Sequence, residues 1–148
     1  MSELQHGIAW NDNLKLGNEQ VDSQHYQIFV LLSDLIGSCE KGDYTENVRN
    51  ALNFLVDYTV QHFKDEEILQ IKYRYPDYER HKKLHEDFKA VAAELVAKFY
   101  ESDSLKELSD DISKIVIRWI IEHIYREDKK IGVYIQSIEE NPSGTYAP

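Results

Sequence analysis

The chain has 148 residues, of which 42% are hydrophobic and 30% are charged, a composition that fits one globular domain with a substantial core. Its formal net charge of −10 argues against nucleic acid or an anionic membrane surface as a partner, because both repel an acidic protein. No apolar stretch is long enough to predict a membrane span.

Helical periodicity runs through most of the sequence. Six glycines and three prolines are few for this length, which favours long helices over a sheet. Apolar side chains recur at three- and four-residue steps in four stretches, and Ile115 lies on the apolar face of the last one. The stretches are separated by Gly42, by Pro76 and by a segment that offers Ser102, Asp103 or Ser104 as a helix N-cap. The four stretches are residues 21–36, 48–69, 81–99 and 105–123.

This pattern predicts an all-α fold, an antiparallel up-down-up-down four-helix bundle within residues 1–136. Residues 1–17, which include Trp10 and Gly17, lack the pattern and are predicted to form a non-helical arm packed on the bundle. Residues 137–148 are predicted to form a flexible tail.

Histidines are the unusual feature of the predicted helices. A lone histidine on an inner face is usually a core residue with a hydrogen-bond partner, but five in one small bundle are not explained in this way. A metal explains them, because each ring can give one nitrogen to an ion and the other to a hydrogen-bond acceptor. The sixth, His6, lies outside the helices. The five on apolar faces are His25, His62, His81, His85 and His123.

Helical spacing places these side chains at one level of the bundle. His81 and His85 are four residues apart on one helix face, and His62 and Glu66 repeat this spacing on the preceding helix. In an antiparallel bundle, the end of the second helix meets the start of the third, the early part of the first and the late part of the fourth. Five imidazoles exceed the four positions of a tetrahedral zinc site, so the pattern favours two ions with bridging carboxylates.

Two positions can supply the bridges. Glu66 is the first, through its spacing from His62. In the segment HIYRED the second is either Glu127 or Asp128. Helix geometry favours Glu127, four residues after His123, because one further residue turns the side chain by about 100°. Helix ends fray, so geometry alone leaves the choice open.

Four motifs, taken in order, resemble those of the hemerythrin family in its single-domain bacterial form. They are W(x6)G(x4)D(x2)H, which begins at Trp10 and ends at His25, then HFKDEE, HKKLH and HIYRED. The resemblance extends from residue 10 to about residue 134. A pair of histidines four residues apart is common, whereas the ordered set is highly specific.

The resemblance implies a non-haem di-iron centre, in which the family pattern selects Asp128 rather than Glu127. One iron would have three histidine ligands and the other two, and both would share two carboxylates and a solvent-derived oxo or hydroxo bridge. The ligands would be His81, His85 and His123 on the first iron, His25 and His62 on the second, and Glu66 and Asp128 as bridges.

The same resemblance implies a function. The iron with two histidines would keep one position open, which suits reversible dioxygen binding for oxygen storage, transport or delivery rather than an enzyme activity. The family surrounds this position with large apolar side chains. The corresponding residues are Ile28, Phe63, Trp119, Ile120 and Ile124.

The sequence also leaves alternative functions open. The chain could be an oxygen or redox sensor that acts through a partner protein, or a di-iron enzyme for peroxide, nitric oxide or iron. Partners other than dioxygen would then be a signalling protein or an oxygen-consuming enzyme.

Two further expectations concern acidic side chains and localisation. Asp65 and Glu67 are interpreted as solvated acids. The single cysteine, Cys39, and the absence of a signal-peptide pattern predict a cytoplasmic protein.

Overall fold

In the computed structural model, four long helices form a bundle, and the structure describes residues 2–3, 9–10, 12–40, 46–101 and 105–140. The fourth long helix is followed by a π-helical turn, Ile124–Asp128, and a short terminal helix. A two-stranded antiparallel pair, β1 (Ser2–Glu3) and β2 (Ala9–Trp10), precedes the bundle. The helices are α1 (Glu19–Glu40), α2 (Glu46–Lys72), α3 (Tyr78–Glu101), α4 (Leu105–His123) and α5 (Lys129–Glu140).

The four helices close into a ring. Helix α1 packs on α2 and α4, and α3 packs on the same two helices. His25, early in α1, reaches Glu66, late in α2, which the alternating directions of an antiparallel bundle require. The predicted all-α four-helix fold is therefore confirmed. No described helix is long and apolar enough to cross a membrane.

The buried side chains form two apolar clusters with a polar layer between them. One cluster is centred on residues such as Ile28, Leu55 and Phe88, and the other contains Val21 and Ile131. Each long helix contributes at least one buried histidine to this layer. In α4 the inner positions are taken by Val116 and Ile120, while Ile115 is 46% exposed, so its predicted inner position is wrong.

Local hydrogen bonds fix where helices begin and end near the polar layer. Asn18 caps α1, since its Oδ1 accepts the Val21 N–H at 3.0 Å. At the end of α2, Arg74 adopts a left-handed conformation with φ 54°. The Tyr75 N–H then reaches the Gln70 carbonyl at 2.9 Å, which completes a Schellman-type cap.

Described residues of the predicted N-terminal arm pack in the apolar clusters of the bundle, among them Trp10 and Leu16. Trp10 is 5% exposed, and residues Asp12–Leu14 form a 3₁₀ turn. The Asp22 carboxylate accepts the Leu16 N–H at 2.6 Å and the Gly17 N–H at 3.2 Å, which holds the arm at the start of α1.

The predicted C-terminal boundary remains a prediction. Helix α5 continues through residue 137 to Glu140, so the segment predicted as a tail begins with helical residues. The remainder of that segment, residues 141–148, and His6 lie outside the described residues.

Gly132 permits the close approach of the arm to α5, and Gly132→Ala is predicted to destabilise the protein by about 1 kcal/mol. An added Cβ would lie 2.9 Å from Leu16 Cα and 3.0 Å from its carbonyl oxygen. Overpacking costs about 1–3 kcal/mol, which outweighs the gain of about 1 kcal/mol in helix propensity. Urea unfolding measures the change.

The control is Val133→Ala at the next residue, which is 61% exposed and should change the free energy of unfolding by less than about 0.5 kcal/mol. A more stable Gly132→Ala variant would contradict the proposed close packing.

Candidate metal centre

All seven side chains predicted as ligands lie in the polar layer of the bundle. Each is almost completely inaccessible to solvent, with His123 the most exposed at 6%. Their ligand atoms form two overlapping groups, and within each group these atoms lie within 4.8 Å of one another. The groups are Glu66, His81, His85, His123 and Asp128, and His25, His62, Glu66 and Asp128.

Glu66 contacts both groups of histidines. Its Oε1 lies 2.9 Å from His81 Nε2 and 3.2 Å from His85 Nε2. Its Oε2 lies 3.1 Å from His62 Nε2 and 3.5 Å from His25 Nε2. One oxygen therefore faces each half of the cluster, the arrangement that a carboxylate needs to bridge two ions.

Asp128 makes the same type of double contact from the π-helical turn that follows α4. Its Oδ1 lies 3.0 Å from His123 Nε2 and 3.1 Å from His81 Nε2, and its Oδ2 lies 3.0 Å from His25 Nε2. The two carboxylates thus lie between the three-histidine and two-histidine groups.

A π-helical turn explains why Asp128 faces inward. In this turn, Ile124–Asp128, the backbone repeat is wider than in an α-helix, so side chains five residues apart share a face. His123 and Asp128 have this spacing. Glu127 instead forms an ion pair with Arg80 outside the cluster. The preference of regular helix geometry for Glu127 is therefore wrong.

The contacts among the rings fit a metal better than a hydrogen-bond network. His123 Nε2 lies 3.1 Å from both His81 Nε2 and His85 Nε2. Three ring nitrogens that face one another cannot all be satisfied by mutual hydrogen bonds, because a neutral imidazole has one N–H. His25 Nε2 is buried near Asp128 without hydrogen-bond geometry. A cation among these atoms would satisfy all of them.

Without a metal, protons would have to provide the positive charge. Burial alone would lower the pKa of His25 and His81, but Asp128 and Glu66 raise it to about 9 and about 10. Burial raises the pKa of Glu66, yet the surrounding imidazoles hold it well below its usual value. For His62, burial has the larger effect and lowers the pKa. The carboxylates are therefore charged, and their buried negative charge must be balanced by cations.

The hydrogen bonds of Asp65 and Glu67 contradict their interpretation as solvated acids. Glu67 contacts a histidine ring directly, and Asp65 contacts another through Gln24. Glu67 Oε2 accepts a hydrogen bond from His85 Nδ1 at 2.7 Å. Asp65 Oδ2 accepts from Gln24 Nε2 at 2.8 Å, and Gln24 Oε1 lies 2.7 Å from His62 Nδ1. Each acid lies beside the inward face of α2 and reaches a side chain on a neighbouring helix. Both acids therefore help to orient a ligand candidate.

Sequence reasoning missed Gln24 entirely. Its position directly before His25, at the edge of the inward face of α1, is the signal that could have indicated a contact with α2.

The residues predicted to line an oxygen pocket lie in the larger apolar cluster or against it. Phe63 stacks flat on the His85 ring, with centroids 3.8 Å apart, and lies 6.3 Å from the His62 ring. Trp119 stacks on His123 at 4.5 Å and lines a surface cavity of about 170 Å³ with it. The other three predicted residues, Ile28, Ile120 and Ile124, are buried. Their role in a pocket remains a prediction.

Comparisons with known proteins agree with this geometry. Residues 16–135 match the Hemerythrin HHE cation binding domain family. A Methylococcus capsulatus protein named Bacteriohemerythrin is 34% identical over 111 residues, which are 75% of this chain and 82% of that protein. A Bacteriohemerythrin of Pseudomonas aeruginosa is 29% identical over 136 residues, 92% of this chain and 84% of the relative.

A solved structure from the same family has a similar fold. A crystal structure of a hemerythrin point mutant superposes with a TM-score of 0.75 at 29% identity, and the alignment covers 86% of this chain and 95% of that one.

The metal-free protein is predicted to lose stability as the pH rises from about 6.5 to 10. His25 and His81 have raised pKa values, so their stabilisation is complete below 6.5 and is lost as the pH passes about 9 and about 10. The lowered pKa of His62 changes stability only below about pH 6.5, so it does not offset this loss. We expect a decrease on the order of a few kcal/mol in urea unfolding.

The control is the metal-loaded protein, in which ions replace these protons, so stability should not fall over the same pH interval. A metal-free protein that is equally or more stable at pH 10 would contradict the assignment.

Proposed function

The chain belongs to the hemerythrin family, and we propose that it binds dioxygen reversibly at a non-haem di-iron centre. The proposed role is oxygen storage, transport or delivery, without an enzyme activity. A pair of iron ions in this cluster would supply reversible two-electron chemistry toward dioxygen.

The proposed ligand assignment follows the two groups of contacts. Three histidines would hold one iron, two would hold the other, and two carboxylates would bridge them together with an oxo or hydroxo group. The observation that carries the proposal is that one group has three histidines and the other two, because an iron held by two imidazoles would keep a position for a ligand. The residues are His81, His85 and His123, then His25 and His62, with Glu66 and Asp128 as bridges.

The surrounding residues support reversible binding by holding protons and excluding water. Glu67 and Gln24 keep the protons of His85 and His62 on Nδ1, so that Nε2 of each ring presents its lone pair to the cluster. Phe63, which is 2% exposed, covers one side of the centre with an apolar ring. A dry site of this type disfavours protonation and release of reduced oxygen.

The test is an oxygen titration of iron-loaded, anaerobically reduced protein, followed by visible absorption. We expect two irons per chain, colour on addition of oxygen and bleaching on its removal, over repeated cycles. Glu66→Gln is the control, since an amide replaces the proposed bridge and iron uptake should fall below two per chain. Immediate irreversible oxidation of the wild-type protein, or fewer than two irons, would contradict the proposal.

Phe63→Leu is predicted to accelerate autoxidation of the oxygen-loaded protein roughly tenfold, equivalent to about 1.4 kcal/mol in the barrier. The smaller side chain removes the ring stacked on His85 and leaves space beside the centre. The rate is measured from the decay of the absorption of the oxygen-loaded form.

Phe54→Leu is a matched control, because Phe54 is on the same helix but 66% exposed. An equal rate in the two variants would contradict a protective role for Phe63.

A further inference from the structure

The outer nitrogens of two ligand candidates have acceptors of different charge. His85 Nδ1 donates to a carboxylate oxygen, Glu67 Oε2, at 2.7 Å. His62 Nδ1 lies 2.7 Å from the side-chain oxygen of Gln24, a neutral amide. His62 belongs to the two-histidine group and His85 to the three-histidine group. The two halves of the centre therefore differ in their supporting residues as well as in their number of imidazoles.

The orientation of the Gln24 amide is fixed by its second partner. Asp65 Oδ2 lies 2.8 Å from Gln24 Nε2, and a carboxylate can only accept a hydrogen bond. The amide NH₂ must therefore face Asp65, and the amide oxygen must face His62. This oxygen accepts from His62 Nδ1–H, so the proton is fixed on Nδ1 and Nε2 is left free toward Glu66.

The rings of His62 and His85 have an acceptor at Nδ1, whereas two other rings of the cluster do not in the described part of the chain. The Nδ1 atoms of His25 and His81 are buried without a hydrogen-bond partner among the described residues. His62 is 2% and His85 0% exposed, so neither hydrogen bond is weakened by direct competition with bulk water. An acceptor behind a ligating imidazole increases the electron donation of the ring, and an anionic acceptor does so more strongly than an amide.

We propose that Gln24 and Glu67 are positioning residues that make the two metal ions electronically unequal. Glu67 places negative charge directly behind the three-histidine ion and stabilises its higher oxidation state. Gln24 orients His62 but keeps the charge of Asp65 one side chain further from the two-histidine ion, which limits premature oxidation at the open position. This inference rests on the proposed function in that the two ions are redox-active.

A charge exchange between positions 24 and 65 tests the inference at constant net charge. The double variant Gln24→Glu with Asp65→Asn moves the carboxylate into direct contact with His62, while the new amide at position 65 can donate to it. We expect the midpoint potential of the iron pair to shift to a more negative value and autoxidation to become faster. An unchanged potential, or a shift in the opposite direction, would overturn the proposal.

Glu67→Gln supplies the reciprocal test. It retains a hydrogen-bond acceptor for His85 but removes the charge, so the midpoint potential should shift to a more positive value. Glu86→Gln is the matched control, because Glu86 is an exposed residue next to His85 and forms an ion pair with Lys89 on its own helix. Equal shifts in the two variants would indicate a general charge effect and would overturn the role of Glu67.

Metal affinity separates this inference from oxygen binding. Gln24→Met removes the acceptor behind His62 and should weaken Co²⁺ binding in the absence of oxygen by about 10–100-fold, the usual effect of losing such a partner. The double exchange variant, which restores an acceptor, should bind Co²⁺ within a few-fold of the wild type. Wild-type affinity in Gln24→Met would overturn the positioning role.

The two proposals fail differently. If the wild-type protein oxidised irreversibly, the proposed function would be lost, but the order of Co²⁺ affinities and the direction of the potential shifts would still support the positioning roles. If oxygen binding were reversible while all variants had wild-type potentials, only the positioning inference would be overturned.

Discussion

The fold and the site both depend on the contact of one buried carboxylate with two groups of histidines. Glu66 is 0% exposed and has one oxygen toward His81 and the other toward His62. An uncompensated charge in an apolar bundle is strongly unfavourable. Protonated imidazoles can compensate it in the metal-free protein, whereas metal ions compensate it and leave the rings neutral. Because an apolar cluster lies on each side, the charged carboxylates and the groups that balance them are confined to a single layer.

Regular helical phase was sufficient to predict the bundle and most of its inward polar residues. The pairs His62 with Glu66 and His81 with His85 lie within uninterrupted α-helices, where four-residue spacing holds. It failed at Asp128, since the π-helical turn changes the phase after His123. Such a turn has no clear signature in residue type, so only the family pattern selected Asp128.

The errors at Asp65, Glu67 and Ile115 have other causes. Periodicity sorts residues into inward and outward faces, but positions between these faces lie at helix interfaces, where a long side chain can reach the next helix. Glu67 and Asp65 occupy such positions and contact His85 and Gln24. Ile115 was misplaced because an apolar side chain can fit a three- or four-residue step without occupying the core, which the structure assigns to its neighbour Val116.

The contacts of Asp65 and Glu67 also complete the charge balance of the proposed di-iron centre. Two divalent cations exceed the charge of the two carboxylates at the centre, Glu66 and Asp128, and the proposed hydroxo bridge would still leave one excess positive charge, which favours a further anion as a ligand. Glu67 and Asp65 place two more negative charges behind the imidazoles, one through His85 and one through the amide of Gln24. Because these charges act from outside the cluster, they reduce the excess without occupying a coordination position. The position proposed for dioxygen can then remain open in a centre whose surroundings are close to neutral.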